Sequence, residues 1–413
     1  MVTPDAAMTA APGAAGAPGP GGSHKLGWRV ARRLAESVIR RGWPVGARLG
    51  TEMELLAALG VSREPFREGI RLLELQGIVR MARGPGGGLF VTAPALEVVS
   101  CLVHGYLELS EITFREVIAA RQVIEGHAVR LAVRRLSPAG AGALQRALQA
   151  AAVAMYDRSR HRTAYFDVLK ALQGIGADPC LSMFDQALHR ITMDFGLHER
   201  LPGELWSEYS ARGYRALEQL VGAVLAGDEA GGREAVDALL SRMDDYVHRA
   251  EGAEDGLWTT RSYMTGAYLS AGKLSPGAEK SGLRLAYRIT AEIRRRSLPA
   301  GCSIGPETEL VSRYGVSRAV FREAVRMLEF FGVVEVRRGK DGGLVVAEMD
   351  PEGTIGSALL YLDYAGIDAT QAGELLELLR EARRRHGTSG PGGNRALELF
   401  EGVLTRLVAA TLN

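Results

Sequence analysis

GVSREPFREGIRLLELQGIV, residues 60–79, and GVSRAVFREAVRMLEFFGVV, residues 315–334, are two versions of one stretch. Sliding the chain by 255 positions aligns residues 25–91 with 280–346 without a gap, and close to half of the positions are identical. A folded unit has been duplicated. In the first copy Gly60 ends one helix, Val61 and Ser62 make a tight turn, and a further helix runs from Arg63 to about Gln76 with Ser62 as its N-cap. Pro65 is tolerated because the N–H groups of a first turn have no intrahelical partner.

Working outward, Leu26 to Arg41 reads as an amphipathic helix, and Trp43-Pro44-Val45-Gly46 turns the chain. Thr51 and Glu54 have the spacing of a capping box, so the second helix starts there. After Gly77, Ile78 to Arg83 and Leu89 to Thr92 read as short strands around the tip Gly84-Pro85-Gly86-Gly87-Gly88. Three helices and a hairpin make a winged helix-turn-helix. Arg63 and Arg67 share one face at the start of the third helix, while Phe66, Gly69 and Leu73 face the core. That places Ser62, Arg63 and Arg67 where a recognition helix meets base edges and phosphates, with Arg83 and Gly86 on the wing. The second copy offers Ser317, Arg318, Arg322 and Arg326, with Arg337, Arg338, Gly339, Lys340 and Asp341 on its wing.

Charge follows the same division. Residues 25–91 hold 12 Lys/Arg against 6 Asp/Glu and residues 280–346 hold 13 against 7, although the whole chain is only +2. Two basic modules in an acidic body suit phosphate binding. No apolar run is long enough for a membrane helix, and the Ala/Gly/Pro-rich start lacks the pattern of a secretory signal. Cys101, Cys180 and Cys302 show neither pairing nor metal spacing, which fits reduced thiols in a cytoplasmic protein.

The expected organisation is mainly α: a disordered tail over 1–24, winged helices over 25–94 and 280–350, an all-helical effector or oligomerisation domain over 95–250, a linker over 251–279, and a shortened helical domain over 351–413. Breaks are expected around Ser137-Pro138, between Gly174 and Pro179, and at Pro202-Gly203. The tail echoes the middle: GADPCLSMFDQALHRIT from Gly176 matches GGNRALELFEGVLTRLV from Gly392, and YLELSEI at Tyr106 matches YLDYAGI at Tyr361.

These motifs resemble the N-terminal domain of the GntR family of bacterial regulators. The carriers are Pro306-Glu307, Val316-Ser317-Arg318, Arg322-Glu323-Ala324 and the glycine-rich wing. The first copy departs from the pattern with Gly50-Thr51-Glu52 and Arg67-Glu68-Gly69, and the lost proline together with Gly69 in mid-helix is expected to lower its stability by up to about 1 kcal/mol. Residues 97–250 are similar to the helical effector domain of the FadR-like branch through Arg121 with Glu125, Gly176 to Pro179, and Ala226-Gly227-Asp228. The resemblance implies a regulator of transcription that binds double-stranded DNA, with repression favoured over activation and with a small-molecule effector and a homodimer both left open.

Many members of that family hold a metal with one Asp and three His. Alignment on Asp178-Pro179 puts Thr163, Asp167, Leu217 and Arg242 at those places, so no metal and no other cofactor is expected. Asp185 and His189 have ligand spacing but read as an ordinary helix-surface pair, and His127, His161, His198 and His248 lack partners. Arg121 reads equally as an effector-pocket residue or as a helical ion pair with Glu125. GPGGG at 84–88 and GKDGG at 339–343 lack phosphate-loop spacing, and no catalytic constellation is present, so an enzyme is not expected. A winged-helix module for protein contacts, without DNA, is the alternative.

Overall fold

The computed structural model describes residues 24–110, 112–194, 201, 203–251, 282–337, 342–348, 350–367, 369–386 and 393–411. The expected tail and linker lie mostly outside the described residues, but His24 and Glu251 at their edges are already helical. The chain divides into two compact units, Met1–Leu102 with Ala278–Gly366, and Val103–Gly277 with Ile367–Asn413.

The first unit holds both winged helices. The first comprises α1 (His24–Arg40), β1 (Arg48–Gly50), α2 (Glu52–Leu59), α3 (Arg63–Leu75), β2 (Val79–Ala82) and β3 (Gly88–Val91). Thr51 caps α2 through a complete capping box with Glu54, as its sequence spacing requires. Gly60 then adopts φ +63, which an L side chain resists, and this left-handed residue lets α3 start three residues later, at Arg63. The sequence reading missed β1. It pairs antiparallel with β3, so the wing is a three-stranded sheet in the order β1-β3-β2.

Val30, Leu34, Leu55, Phe66, Ile70, Leu73, Ile78 and Leu89 form the buried core beneath the sheet. Gly69 belongs to this packing. A Cβ there would fall 2.7 Å from Val30 Cγ1 and 2.8 Å from the Gly27 carbonyl oxygen, so the glycine permits the close approach of α1 and α3. The expectation that it simply weakens the helix is therefore corrected.

The second winged helix repeats the plan with α11 (Gly282–Arg295), β4 (Ser303–Gly305), α12 (Glu307–Tyr314), α13 (Arg318–Phe330), β5 (Val334–Arg337) and β6 (Gly343–Val346), in sheet order β4-β6-β5. Helix α14 (Glu352–Ala365) follows it in sequence but packs on the first module. There Ser357 accepts a 3.0 Å hydrogen bond from Gln76 Nε2, Asp363 accepts one of 2.7 Å from Trp43 Nε1, and Leu360 joins the core. Trp28 of α1 stacks on Phe330 of α13 with ring centroids 6.1 Å apart.

α4 (Leu96–Leu109) leads into the second unit, which contains α5 (Phe114–Arg135), α6 (Pro138–Ala154), α7 (Arg158–Gly176), α8 (Pro179–Asp194), α9 (Gly203–Ala226), α10 (Glu229–Glu251), α15 (Ala369–His386) and α16 (Arg395–Thr411). Ser137 caps α6, whose first residue is Pro138. The expected breaks at Ser137-Pro138 and between Gly174 and Pro179 fall at helix boundaries, Pro202 lies outside the described residues, and Asp157 caps α7 at a further break that the sequence reading missed. No helix of the described residues is long and apolar enough to cross a membrane. Cys101 and Cys180 are buried, Cys302 is half-buried, and all three are free thiols.

Candidate nucleic-acid interface and the centre of the helical unit

Short recognition helices present their basic faces in the same way in both modules. Arg63 and Arg67 lie exposed on the first two turns of α3, as Arg318 and Arg322 do on α13. Arg67 Nε donates to Glu52 Oε1 at 3.1 Å, and its counterpart Arg322 Nε donates to Glu307 Oε1 at 3.0 Å. Each pair links the start of the recognition helix to the helix before it, holding the guanidinium in place while leaving it more than half exposed. Such exposed pairs add little to stability, so their interest lies in positioning. Ser317 Oγ accepts from the Val320 N–H at 3.3 Å, whereas Ser62 occupies the cap position without a side-chain cap hydrogen bond, contrary to its expected capping role.

Arg71 and Arg326 are counterparts one turn further on. Arg326 is half-buried, and burial first, with Arg71 next, pushes its guanidinium below the usual range. Two like charges held near one another attract an anionic partner. On the first wing Arg83 and Gly86 are exposed, Gly86 with φ +77 at the tip. On the second wing Arg337 is exposed but paired with Glu335 at 2.6 Å, while Arg338 and Lys340 lie outside the described residues.

The centre of the helical unit is polar. Arg121 is wholly buried and its Nε donates to Glu125 Oε1 at 2.6 Å, so the helical ion pair is present, but in the interior. Arg121 Nη1 donates to Thr192 Oγ1 at 3.2 Å. His189 lies between two carboxylates, with Nδ1 2.8 Å from Asp185 and Nε2 3.3 Å from Glu125. Burial lowers its pKa, but Asp185 and the hydrogen bonds to both carboxylates overcome that and the net direction is upward. Asp185 and His189 are therefore not the surface pair expected from sequence. No residue of α8 from Pro179 to Thr192 is exposed, because α5 covers one side and Phe184 stacks on Phe400 of α16, centroids 3.9 Å apart, on another.

The family-type metal set does not fit. Thr163 and Asp167 lie exposed on α7, while Leu217 and Arg242 are buried, so the four aligned residues do not converge, and the inward residues of α7 include His161, Tyr165, Val168, Leu169 and Leu172. His161 has partners after all: Nδ1 lies 3.1 Å from the Met155 carbonyl oxygen, and the ring meets Trp206 edge-on at 4.9 Å. His127 is buried and its pKa is lowered, by burial first. His198 lies outside the described residues, as does the side chain of His248. Glu125, Asp185 and His189 bring donor atoms within 4.8 Å of one another, a group that could hold a cation, but Arg121 and the imidazole already occupy those carboxylates.

Paired winged helices with matched arginine faces, joined to a helical unit with a buried polar centre, define a helix-turn-helix regulator. The chain belongs to the GntR family of bacterial regulatory proteins, whose profile matches residues 26–91 and again residues 282–343, and the FCD domain matches residues 116–242. It is similar to the HTH-type transcriptional regulator Rv0494 of Mycobacterium tuberculosis, 29% identical over 225 residues that cover 52% of this chain and 86% of the relative. The HTH-type transcriptional regulator RmpR of Mycobacterium gastri is 42% identical over 66 residues, 16% of this chain and 24% of that one. Among solved structures, Streptococcus agalactiae GntR is 16% identical with a TM-score of 0.36, covering 52% of this chain and 98% of its own. Escherichia coli McbR/YncC is 19% identical with a TM-score of 0.30, covering 54% and 97%.

Proposed function

We propose that the protein regulates transcription by binding double-stranded DNA sequence-specifically with both winged helices of one chain, repression being favoured over activation. The observation that carries this is the repeated ion pair, Arg67 with Glu52 and Arg322 with Glu307, on exposed recognition faces. Ser62, Arg63, Arg67, Ser317, Arg318 and Arg322 meet the major groove, and Arg83, Gly86, Arg337, Arg338 and Lys340 track the backbone or the neighbouring groove. The two modules act as an intramolecular pair on two half-sites, so that binding of one raises the effective concentration of the other. The FCD unit receives a small-molecule effector at Arg121 and its surroundings.

A gel-shift titration over a range of salt concentrations tests DNA binding. Affinity falling steeply as salt rises supports phosphate neutralisation by these arginines. Retention of no DNA at any salt, with a protein bound to the recognition faces instead, would favour a protein-interaction module.

A further inference from the structure

Arg242, on α10, is only 3% exposed, and no carboxylate pairs with it among the described residues. Its Nη1 donates to the Tyr209 carbonyl oxygen at 2.8 Å and its guanidinium lies 4.1 Å from the centre of the Tyr209 ring. Nε and Nη2 are buried without an acceptor. Arg121 Nη2 and the Tyr165 hydroxyl are in the same condition, and that hydroxyl lies in the field of both arginines. Arg121 Nη1 also approaches Met243 Sδ, on the residue next to Arg242, at 3.7 Å.

Buried donors without an acceptor, and a buried cation without a counter-charge, are costly unless something anionic accepts from them. The nearby charges are otherwise matched: Arg121 has Glu125 at 2.6 Å and His189 has Asp185 at 2.8 Å. Arg242 remains as the surplus cation. Its place is prepared by Gly213 of α9, where any Cβ would overlap the guanidinium.

We propose that this centre binds a small carboxylate-bearing molecule directly on Arg242 and Tyr165, with Arg121 beside them, and that it does so without a metal ion. Arg242 thereby supplies as a side chain the positive charge that other family members take from a bound metal. This rests on the reading of the FCD unit as the effector domain and is independent of DNA binding. Guanidinium suits the task because its fork matches the two oxygens of a carboxylate.

The test uses the full chain, stripped with chelator and shown by elemental analysis to hold no transition metal. Acetate, citrate and inorganic sulfate are titrated in turn, with thermal unfolding and calorimetry as readouts. Acetate or citrate should raise the melting temperature with chelator still present. Arg242→Gln should weaken that binding about tenfold or more, as expected for loss of charge-assisted hydrogen bonds. Tyr165→Phe, which removes one donor and little volume, should weaken it several-fold and decides the matter if Arg242→Gln fails to fold.

The proposal is overturned if neither carboxylate shifts the melting temperature, or if binding needs added zinc or manganese. It is equally overturned if both variants bind as the parent does, or if sulfate alone binds, which would mark a site for inorganic anions. Gel shifts on the same preparations without added anion report DNA binding separately, so failure there leaves this result standing.

Discussion

Arg318 and Arg322 stand on the exposed first turns of α13, as Arg63 and Arg67 do on α3. At about 1–3 kcal/mol for each good base contact, replacing Arg318 and Arg322 together by Ala should cost several kcal/mol of operator affinity. A double variant that binds its operator as tightly as the parent in a gel-shift titration would remove these residues from the interface. A second residue-scale prediction concerns pH. The folded-state pKa of His189 is raised above its ordinary 6.5 by Asp185 and Glu125, in spite of burial and of Arg121, so protonation there favours folding. That contribution is fully present below pH 6.5 and is lost as pH rises through the raised value. His127 acts in the opposite sense: burial depresses its pKa, against Asp178 and Glu374 and with Arg130 and Arg134, so acidification below 6.5 works against the fold there. Denaturant unfolding across pH should therefore show His189→Gln losing the stabilisation at low pH and His127→Gln losing the acid penalty. Profiles identical to that of the parent would contradict both assignments.

At the scale of elements, the packing of α1 against α3 reverses what helix propensity says about Gly69. Alanine in an exposed helix interior would add up to about 1 kcal/mol, but a Cβ meeting Val30 and the Gly27 carbonyl forces the helices apart. Overpacking of this kind costs about 1–3 kcal/mol, so Gly69→Ala should unfold at lower denaturant than the parent. A rise in the midpoint would show that the helices part easily. The same contrast explains what could be read from the chain. Caps and turns were legible, since Thr51, Glu54, Gly60 and Ser137 act through neighbours a few residues away. β1 was not, because Arg48–Gly50 has no alternation and owes its form to pairing with β3. The Asp185–His189 pair was misread because helical spacing cannot reveal that α5 and α16 lie on α8. The Arg242 site was invisible for a similar reason: its arginine and the glycine that admits it lie on different helices. The aligned Thr163 and Asp167 fell on the exposed face of α7, a register that only the buried Tyr165 and Leu169 identify.

At the scale of the whole molecule, the repeat leaves contacts of a kind expected from a two-fold dimer, in which a residue meets its own counterpart. A shift of 216 positions maps α8 onto α16, and the mapped caps agree: Asp178 Oδ1 accepts from the Leu181 N–H and Asn394 Oδ1 from the Leu397 N–H, both at 2.9–3.0 Å. Phe184 and Phe400 are counterparts under that shift, and they stack on each other. The start of α16 bonds to Glu116 of α5, and Asp178, just before α8, and Glu374 of α15 both act on His127 of α5. In the other unit Arg71 and Arg326 form a comparable pair of counterparts. If the shortened copy takes the place of a second subunit, the intact chain should be monomeric by light scattering, and a dimer there would count against it. Phe400→Asp should open that seat, lowering stability by about 3–5 kcal/mol as large core truncations do, and promoting association through the bared face of α8.

The same arrangement sharpens the test of paired DNA binding. A chain nicked between the units of the repeat would stay together through α14 and α16, so the informative protein ends at Glu251 and carries one winged helix. Its DNA binding should be much weaker at low concentration and should recover with concentration as two copies pair through the vacated face. The intact chain should instead bind with one copy per operator, with affinity varying with half-site spacing in steps of about 10–10.5 base pairs. Equal affinity of the one-headed protein at all concentrations would show that the second winged helix does not share the operator with the first.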